Sequence, residues 1–329
     1  MVSREIGGYL ELEDCGRAPY HEDAVALDSA RSCLAYLIEL RGINRIALPD
    51  LMCEAVRAVC RKAGIGVRTY GIGEDFLPVG DFVPSPGEWL YLADFYGHLQ
   101  SADVERAIDW FDGRVVVDEV QGFFRDPWAG TDTFYTCRKF FGVPDGAYLV
   151  TRDGVRLERK LLACRSTGRM VHVLGRCEDG ASPHYGEFSR AEEGVGAGGP
   201  RTMSEVTRRL LSAVDYSAVR SRRESNYAYL KGLLDGGNLL DSGNPEGPYM
   251  YPYLVEDARG IRGKLAERGI YVPTLWPNVL RDCARDSVAY RYAKNILPLP
   301  VDQRYGAEEM EHIVRAVIDV AGASTGGEL

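Results

Sequence analysis

From residue 24 to residue 118, short apolar runs alternate with amphipathic stretches, and few architectures tolerate that rhythm. In order come "DAVALD", a helical stretch from Ser29 to about Leu40, "RIALP", a second helical stretch from Cys53 to Lys62, then "VRTYGI", "WLYLADF", "SADVERAIDWF" and "RVVVDE". Strand-period and helix-period segments in alternation predict an α/β protein whose central sheet is mostly parallel and flanked by helices. Further on, "TFYTCR" and "AYLVTR" are joined by a segment containing "VPDG". Its Pro-Asp-Gly has the chemistry of a turn, so this pair is expected as a hairpin or a sheet edge.

The remaining segments are read by composition. Residues 1–20 lack periodicity and are expected as an arm. Residues 153–200 read as irregular and end in "EEGVGAGGP", a flexible Gly-rich loop. A long helical region, about 202 to 236, carries Arg on one side and Leu and Val on the other, and a domain boundary is placed within it. The expected division is an arm over 1–20, a large domain over 21–215 and a small C-terminal α+β domain over 216–329, closed by the helix "AEEMEHIVRAVIDVA".

Composition excludes several classes of partner. The chain of 329 residues is 45% hydrophobic and 26% charged, enough to bury a sizeable core. Its 39 Lys+Arg against 48 Asp+Glu leave a formal charge of -9, which repels a polyanion, so no nucleic acid is expected. No run of about 18 apolar residues exists to span a membrane, and charges interrupt the first residues where a signal peptide needs an apolar stretch. A cytoplasmic location is expected. Eight scattered cysteines form no C-x-x-C pair and no zinc spacing with histidine, so they are read as reduced, mostly packed thiols. Gly194, Gly196 and Gly199 satisfy G-x-G-x-x-G, but "SRAEE" precedes them and Pro200 follows, where a dinucleotide site needs a strand and a helix.

Chemistry concentrates around two residues. Three valines run into Asp118, which describes a buried parallel strand with an acid at its carboxyl end, where ligands of open α/β sheets bind. Taken alone, Asp118 could equally cap a helix or close a turn. Among six lysines, Lys139 is the one outside an amphipathic helix or charged surface stretch. Its ordinary reading is solvation, and Arg138 beside it is expected to face water. Yet a strand-end aspartate followed by Thr136-x-x-Lys139 is the arrangement that pyridoxal 5'-phosphate (PLP) chemistry requires. The lysine supplies an amine for a Schiff base and the aspartate keeps a pyridine nitrogen protonated. Near the start, Ser29-Ala30-Arg31-Ser32 opens a helix, offering free N–H groups to a phosphate, or a plain Ser N-cap.

The order "SARSCL", "ALPDLMCEAV", "LADFYGH", "VVVDEVQGFF", "FYTCRKFFGVPDGAYL", "GPRTMSEVTRRLL" and "NILPLPVDQRYGAEEMEHIV" resembles the DegT/DnrJ/EryC1/StrS family of fold-type-I PLP-dependent aminotransferases, in particular its shorter members. The resemblance covers residues 24 to 320. It implies that Lys139 bonds to the cofactor and then serves as base, that Asp118 pairs with the pyridine nitrogen, and that Gln121 meets the phenolic oxygen. It further implies that Val120 presses on the ring, that Ser29, Ala30, Arg31 and Thr136 hold the phosphate, and that the chain forms a homodimer with shared active sites. Arg201, Met203 and Ser204 match the segment that crosses to the partner's site. Two positions depart from the family pattern. Leu51 and Met52 stand where a stacking aromatic is common, with Phe95 or Tyr96 as substitutes, and Gly199 stands where an Asn commonly reaches the phosphate. The Arg31 guanidinium is then expected to meet the phosphate directly.

The function so implied is transfer of an amino group from an amino-acid donor, glutamate or glutamine, to a small-molecule keto acceptor: a keto sugar, a nucleotide-linked keto sugar or a related ketone. His98, Tyr96, His184, Tyr185 and Trp276 are available to line the mouth. Two alternatives stay open from sequence: a PLP enzyme of another reaction type (elimination, decarboxylation or carbon–carbon bond formation), and a non-catalytic regulator of the same fold.

Overall fold

The computed structural model describes residues 6–325 apart from 81 and 197, with side chains through 320. The first five residues of the expected arm, residue 197 of the Gly-rich loop and the last four of the chain lie outside the described residues. Nine strands form the main sheet: β1 (Val25–Leu27), β2 (Arg45–Pro49), β3 (Gly66–Tyr70), β4 (Trp89–Ala93), β5 (Val115–Asp118), β6 (Asp132–Thr136), β7 (Ala147–Val150), β8 (Leu162–Ala163) and β9 (Arg201–Thr202). Their spatial order is β3-β2-β4-β5-β6-β7-β1-β9-β8. From β3 to β6 all neighbours are parallel, as the alternating pattern predicts. Every residue of β4, β5 and β6 is buried, the burial expected of parallel strands covered on both faces.

The expected hairpin needs a correction of place. β6 and β7 pair antiparallel with Phe134 opposite Leu149, but they are no edge, because β1 covers the far side of β7. Turn chemistry reports a local pairing; it cannot report that the first strand of the chain returns to fill the open side.

Helix α1 (Ala30–Arg41) starts at Ser29, whose hydroxyl accepts the Ser32 N–H at 3.2 Å, and stops at Gly42 in the left-handed region (φ 61). Between them Cys33, Leu34, Leu37 and Ile38 pack on the sheet. Helices α2 (Glu54–Ala63) and α3 (Ser101–Trp110) complete the alternation. Residues 153–200, expected to be irregular, contain α4 (Val171–Asp179) and α5 (Tyr185–Gly194). Their polar and Gly-containing sequences bury little, Gly175 in one and Ala191 in the other, so no apolar stripe announced them. The long helical region is broken: α6 (Glu205–Ser212) and α7 (Tyr216–Leu234) meet at Asp215, whose carboxylate accepts the Ala218 N–H at 3.0 Å and so starts a new helix.

A second, two-stranded antiparallel sheet joins β10 (Met250–Leu254) and β11 (Ile296–Pro300). With α7, α8 (Ala258–Glu267) and α11 (Ala307–Thr325) it encloses its own apolar cluster, centred on Leu230, Tyr251, Leu265, Leu299 and Val317. Short helices α9 (Val279–Asp282) and α10 (Val288–Asn295) pack back on the main core through Val279 and Ala289. A polar tie between the two parts is Arg223 on α7, 1% exposed. Its guanidinium donates to Gln303 Oε1 (2.8 Å), Pro248 O (2.9 Å) and Phe140 O (3.3 Å), and lies 4.6 Å from the Phe140 ring centroid. Arg223→Leu leaves Pro248 O and Gln303 Oε1 without this donor, while Phe140 O keeps the Gln303 amide N–H, and urea unfolding should show a loss of roughly 2–4 kcal/mol.

Candidate active site

Parallel pairing fixes where the acid sits. Asp118 is the last residue of β5, in register with Ala93 and Phe134 on the strands to either side, and is 5% exposed. Two donors converge on it: Val120 N–H reaches Oδ1 at 2.9 Å, and the Tyr91 hydroxyl of β4 donates to Oδ2. Asp118 therefore does close a turn, and at the same time keeps lone pairs free for a further donor. Burial pushes its pKa up, while Lys139 beside it, Tyr91 and Val120 N–H pull it back.

Lys139 follows β6 in the tight turn made where Phe140 and Phe141 N–H both reach Cys137 O. Its side chain is half-buried, its ammonium 5.3 Å from the Tyr249 ring centroid, and it makes no hydrogen bond with any described residue. Burial lowers its pKa and the Asp118 carboxylate opposes that shift, so the amine gives up a proton more readily than a solvated lysine while held in the field of an anion. Arg223 supports both sides of this contact, through Phe140 O and Tyr249 O.

The other sequence-selected residues fall into three groups. Val120 is half-buried, and Gln121, 4% exposed, uses Oε1 to accept the Tyr96 N–H at 2.8 Å. At the start of α1, Ser29 caps the helix while the N–H groups of Ala30 and Arg31 meet no acceptor among the described residues. Gly196 (φ +70) closes over them, since a Cβ there would lie 2.8 Å from Arg31 Cβ and 3.2 Å from Ser29 Oγ. The Gly-rich loop thus walls the helix N-terminus. Thr136, 7% exposed, ends β6, and Met52, 3% exposed, is held through its carbonyl by Asn278 at 2.9 Å.

Ser204, buried at the cap of α6, bonds Asp145 and Ser166, both at 2.6 Å. The two arginines make long-range contacts. Arg31 sends its guanidinium to Val195 O (2.6 Å) and Glu192 O (3.2 Å). Arg138 does not face water: its side chain is 13% exposed and pairs with Glu192. Glu192 on α5 thereby joins the α1 mouth to the Lys139 turn, a link formed by a segment whose helices the sequence did not reveal.

Of the proposed mouth residues, Trp276 (φ 52) packs against Phe95 and Tyr96 at 5.4 and 6.2 Å. His98 is half-buried, and its desolvation pulls its pKa down to about 4. His184 and Tyr185 instead line a cavity of about 710 Å³ with His172, Tyr271, Arg304 and His312. Reading the sequence missed Tyr91, Tyr249 and Glu192. Tyr91 had a signal, a polar hydroxyl inside an all-buried strand next to Asp118; the other two are recruited from far along the chain.

No family model and no curated protein sequence matches the chain. Solved structures do. The sugar aminotransferase CalS13 from Micromonospora echinospora superposes with a TM-score of 0.64 at 16% identity, over 91% of this chain and 87% of that one. Helicobacter pylori PseC, an aminotransferase of pseudoaminic acid biosynthesis, gives 0.64 at 13%, over 91% and 87%. NtdA from Bacillus subtilis, with bound cofactor PMP, gives 0.65 at 14%, over 91% and 73%. The fold is fold-type I. In a fold-type-I frame the carboxyl ends of the parallel strands face the crevice where Asp118 and Lys139 meet.

The Asp118–Lys139 coupling is directly measurable. Asp118→Asn removes the charge that favours the ammonium, so the Lys139 pKa falls further. The pH midpoint for its labelling by an amine-reactive probe, followed by peptide mapping, should move to lower pH; an unmoved midpoint would contradict the coupling.

Proposed function

We propose that this chain is a PLP-dependent aminotransferase that moves an amino group from an amino-acid donor, glutamate or glutamine, to a keto sugar, a nucleotide-linked keto sugar or a related ketone. The observation that carries the reading is the half-buried Lys139 amine, depressed in pKa and facing the buried Asp118 carboxylate at a sheet end. The names of the similar structures, sugar aminotransferases among them, support the same reading.

The residues present fit the cofactor by their donor chemistry. Ala30 and Arg31 offer unpartnered N–H groups at the positive end of α1, which suit a phosphate dianion, with Thr136 and Ser29 adding hydroxyls. Asp118 has room for one more donor, the pyridine N–H. Gln121 has its oxygen occupied by Tyr96, leaving its amide N–H₂ to donate to the phenolic oxygen, and Val120 offers an apolar face. When bound, PLP withdraws electrons from the substrate carbon bearing the amino group. Lys139 would move the proton between that carbon and C4′ of the cofactor, a task its lowered pKa suits. The 710 Å³ cavity, whose His172 feels the charges of Arg138 and Glu192, admits the keto acceptor.

The same reading takes residues 21–215 as the cofactor-binding domain and 216–329 as the small domain, supported by the separate β10–β11 sheet and its apolar cluster. It takes the protein as a cytoplasmic homodimer with shared sites, the half-exposed Arg201 reaching across. Among the described residues no helix is long and apolar enough to cross a membrane.

Reduction of the PLP-loaded protein with borohydride should place the pyridoxyl label on Lys139, and Lys139→Ala should carry none. Adding glutamate alone should bleach the visible absorbance, because the first half of the transfer needs no acceptor. Label on another lysine, or absorbance that glutamate leaves unchanged, rejects the aminotransferase reading. Loss of the Lys139 base should lower turnover by about 10²–10⁴-fold.

A further inference from the structure

Behind the site lies a second acidic pair that no step above uses. Asp94 follows β4 and Glu119 follows β5, so adjacent parallel strands deliver two carboxyl groups to one layer; Asp94 is 2% exposed and Glu119 wholly buried. Asp94 Oδ1 accepts the Leu99 N–H at 2.9 Å, and Glu119 Oε1 accepts the Trp128 indole N–H. The remaining oxygens, Asp94 Oδ2 and Glu119 Oε2, are buried and receive no donor from another described residue. They lie together: a Cβ on Gly122 would sit 2.0 Å from Glu119 Oε2 and 3.4 Å from Asp94 Oδ2. Two carboxyl oxygens brought together in a dry interior are held by a proton between them or they repel.

The cation at this place is Arg125. Its Nε is 3.6 Å from Asp94 Oδ2, and its guanidinium donates to Leu99 O (2.9 Å) and Gly97 O (3.1 Å) and stacks 4.8 Å from the Trp128 ring centroid. One arginine can balance one carboxylate, not two. The other groups facing the pair are the Trp128 indole N–H, the Leu99 and His98 N–H groups, and, from β6, the buried Tyr135 hydroxyl, which has no partner among the described residues. None of these adds a second positive charge.

We propose that Asp94 and Glu119 share a single proton, carried on Glu119, and with Arg125 form a neutral clamp that positions Gln121 through the 94–99 loop. Burial raises both carboxyls; the Asp94 charge raises Glu119 further, whereas Arg125, the Leu99 N–H and the hydrogen bond with Glu119 pull Asp94 back. The clamp has strain to hold. Tyr96 (φ 60) and Gly97 (φ 81) are both left-handed, and a Cβ on Gly97 would sit 2.6 Å from Pro245 Cβ. Held there, Tyr96 presents its N–H to Gln121 Oε1, which settles which end of the Gln121 amide points onward. Asp94 and Glu119 are thus positioning residues; their effect on a cofactor rests on the function proposed above, whereas the shared proton does not.

The test separates the two parts. In Glu119→Gln an amide hydrogen replaces the shared proton, and Asp94→Asn does the same from the other side. The wild-type folded state keeps a proton that the unfolded chain releases above the ordinary carboxyl range, so its stability falls as pH rises between those pKa values, and each single variant should lack that fall. Relative to wild type, the folding equilibrium constant of Glu119→Gln should gain about tenfold per pH unit across this window. Parallel pH profiles in both single variants, or failure of both to fold, would overturn the shared proton. The double variant Asp94→Asn/Glu119→Gln leaves Arg125 without a carboxylate, and should retain PLP at least tenfold less tightly with a shifted visible absorption maximum. An unchanged spectrum and retention in that variant would overturn the positioning role. Absence of PLP binding by the wild type would reject the function and leave the pH result standing.

Discussion

A carboxylate at the carboxyl end of a fully buried parallel strand is the constraint on which the rest of this structure turns. Asp118 cannot be solvated by bulk water, so its charge must be compensated by groups the fold supplies: Tyr91 from the neighbouring strand, Val120 from its own turn, and the Lys139 amine across the next strand. Each partner comes from a different element, and each is placed by sheet register. The register that puts Ala93 and Phe134 on either side of Asp118 is set by apolar packing of three valines, not by the site. Chemistry here is delivered by the core.

The same logic explains why the C-terminal part matters to residues it does not contain. Arg223, buried on α7, binds Phe140 O beside Lys139 and Tyr249 O below the aromatic ring that the amine faces. One guanidinium therefore sets the position of both partners in that contact. Burial pulls its pKa down to about 10, which still leaves it charged at neutral pH. On the other side, Glu192 joins Arg31 at the helix mouth to Arg138 in the lysine turn. The site is thus braced from two long-range directions, and its small groups act on a rigid frame.

Particular residues show where the sequence was informative. Asp118, Lys139 and the Ser29 cap were legible because strand-end acids, an isolated lysine and a serine before an apolar helix are local signals. Arg138 was misread as solvated because its partner Glu192 lies 54 positions away, on a helix with almost no buried face. Arg31 was expected to lend its charge to a phosphate; its guanidinium bonds Val195 O and Glu192 O, on a loop and helix whose approach no local signal gives. Ser204 bonds Asp145 and Ser166, 59 and 38 positions away, contacts that no local pattern announces.

By itself the sequence determined the alternating elements, the parallel sheet from β3 to β6 and the candidates Asp118 and Lys139, since these follow from periodicity and from residue chemistry within one or two turns. Only the tertiary structure decided that β1 inserts beside β7, that α4 and α5 form, that Tyr91, Tyr249 and Glu192 join the site, and that two further carboxyl groups lie face to face behind it. The physical reason is that hydrogen bonds and charge pairing act through space. A residue's partners are fixed by which surfaces the apolar core brings together, and that is a property of the whole chain.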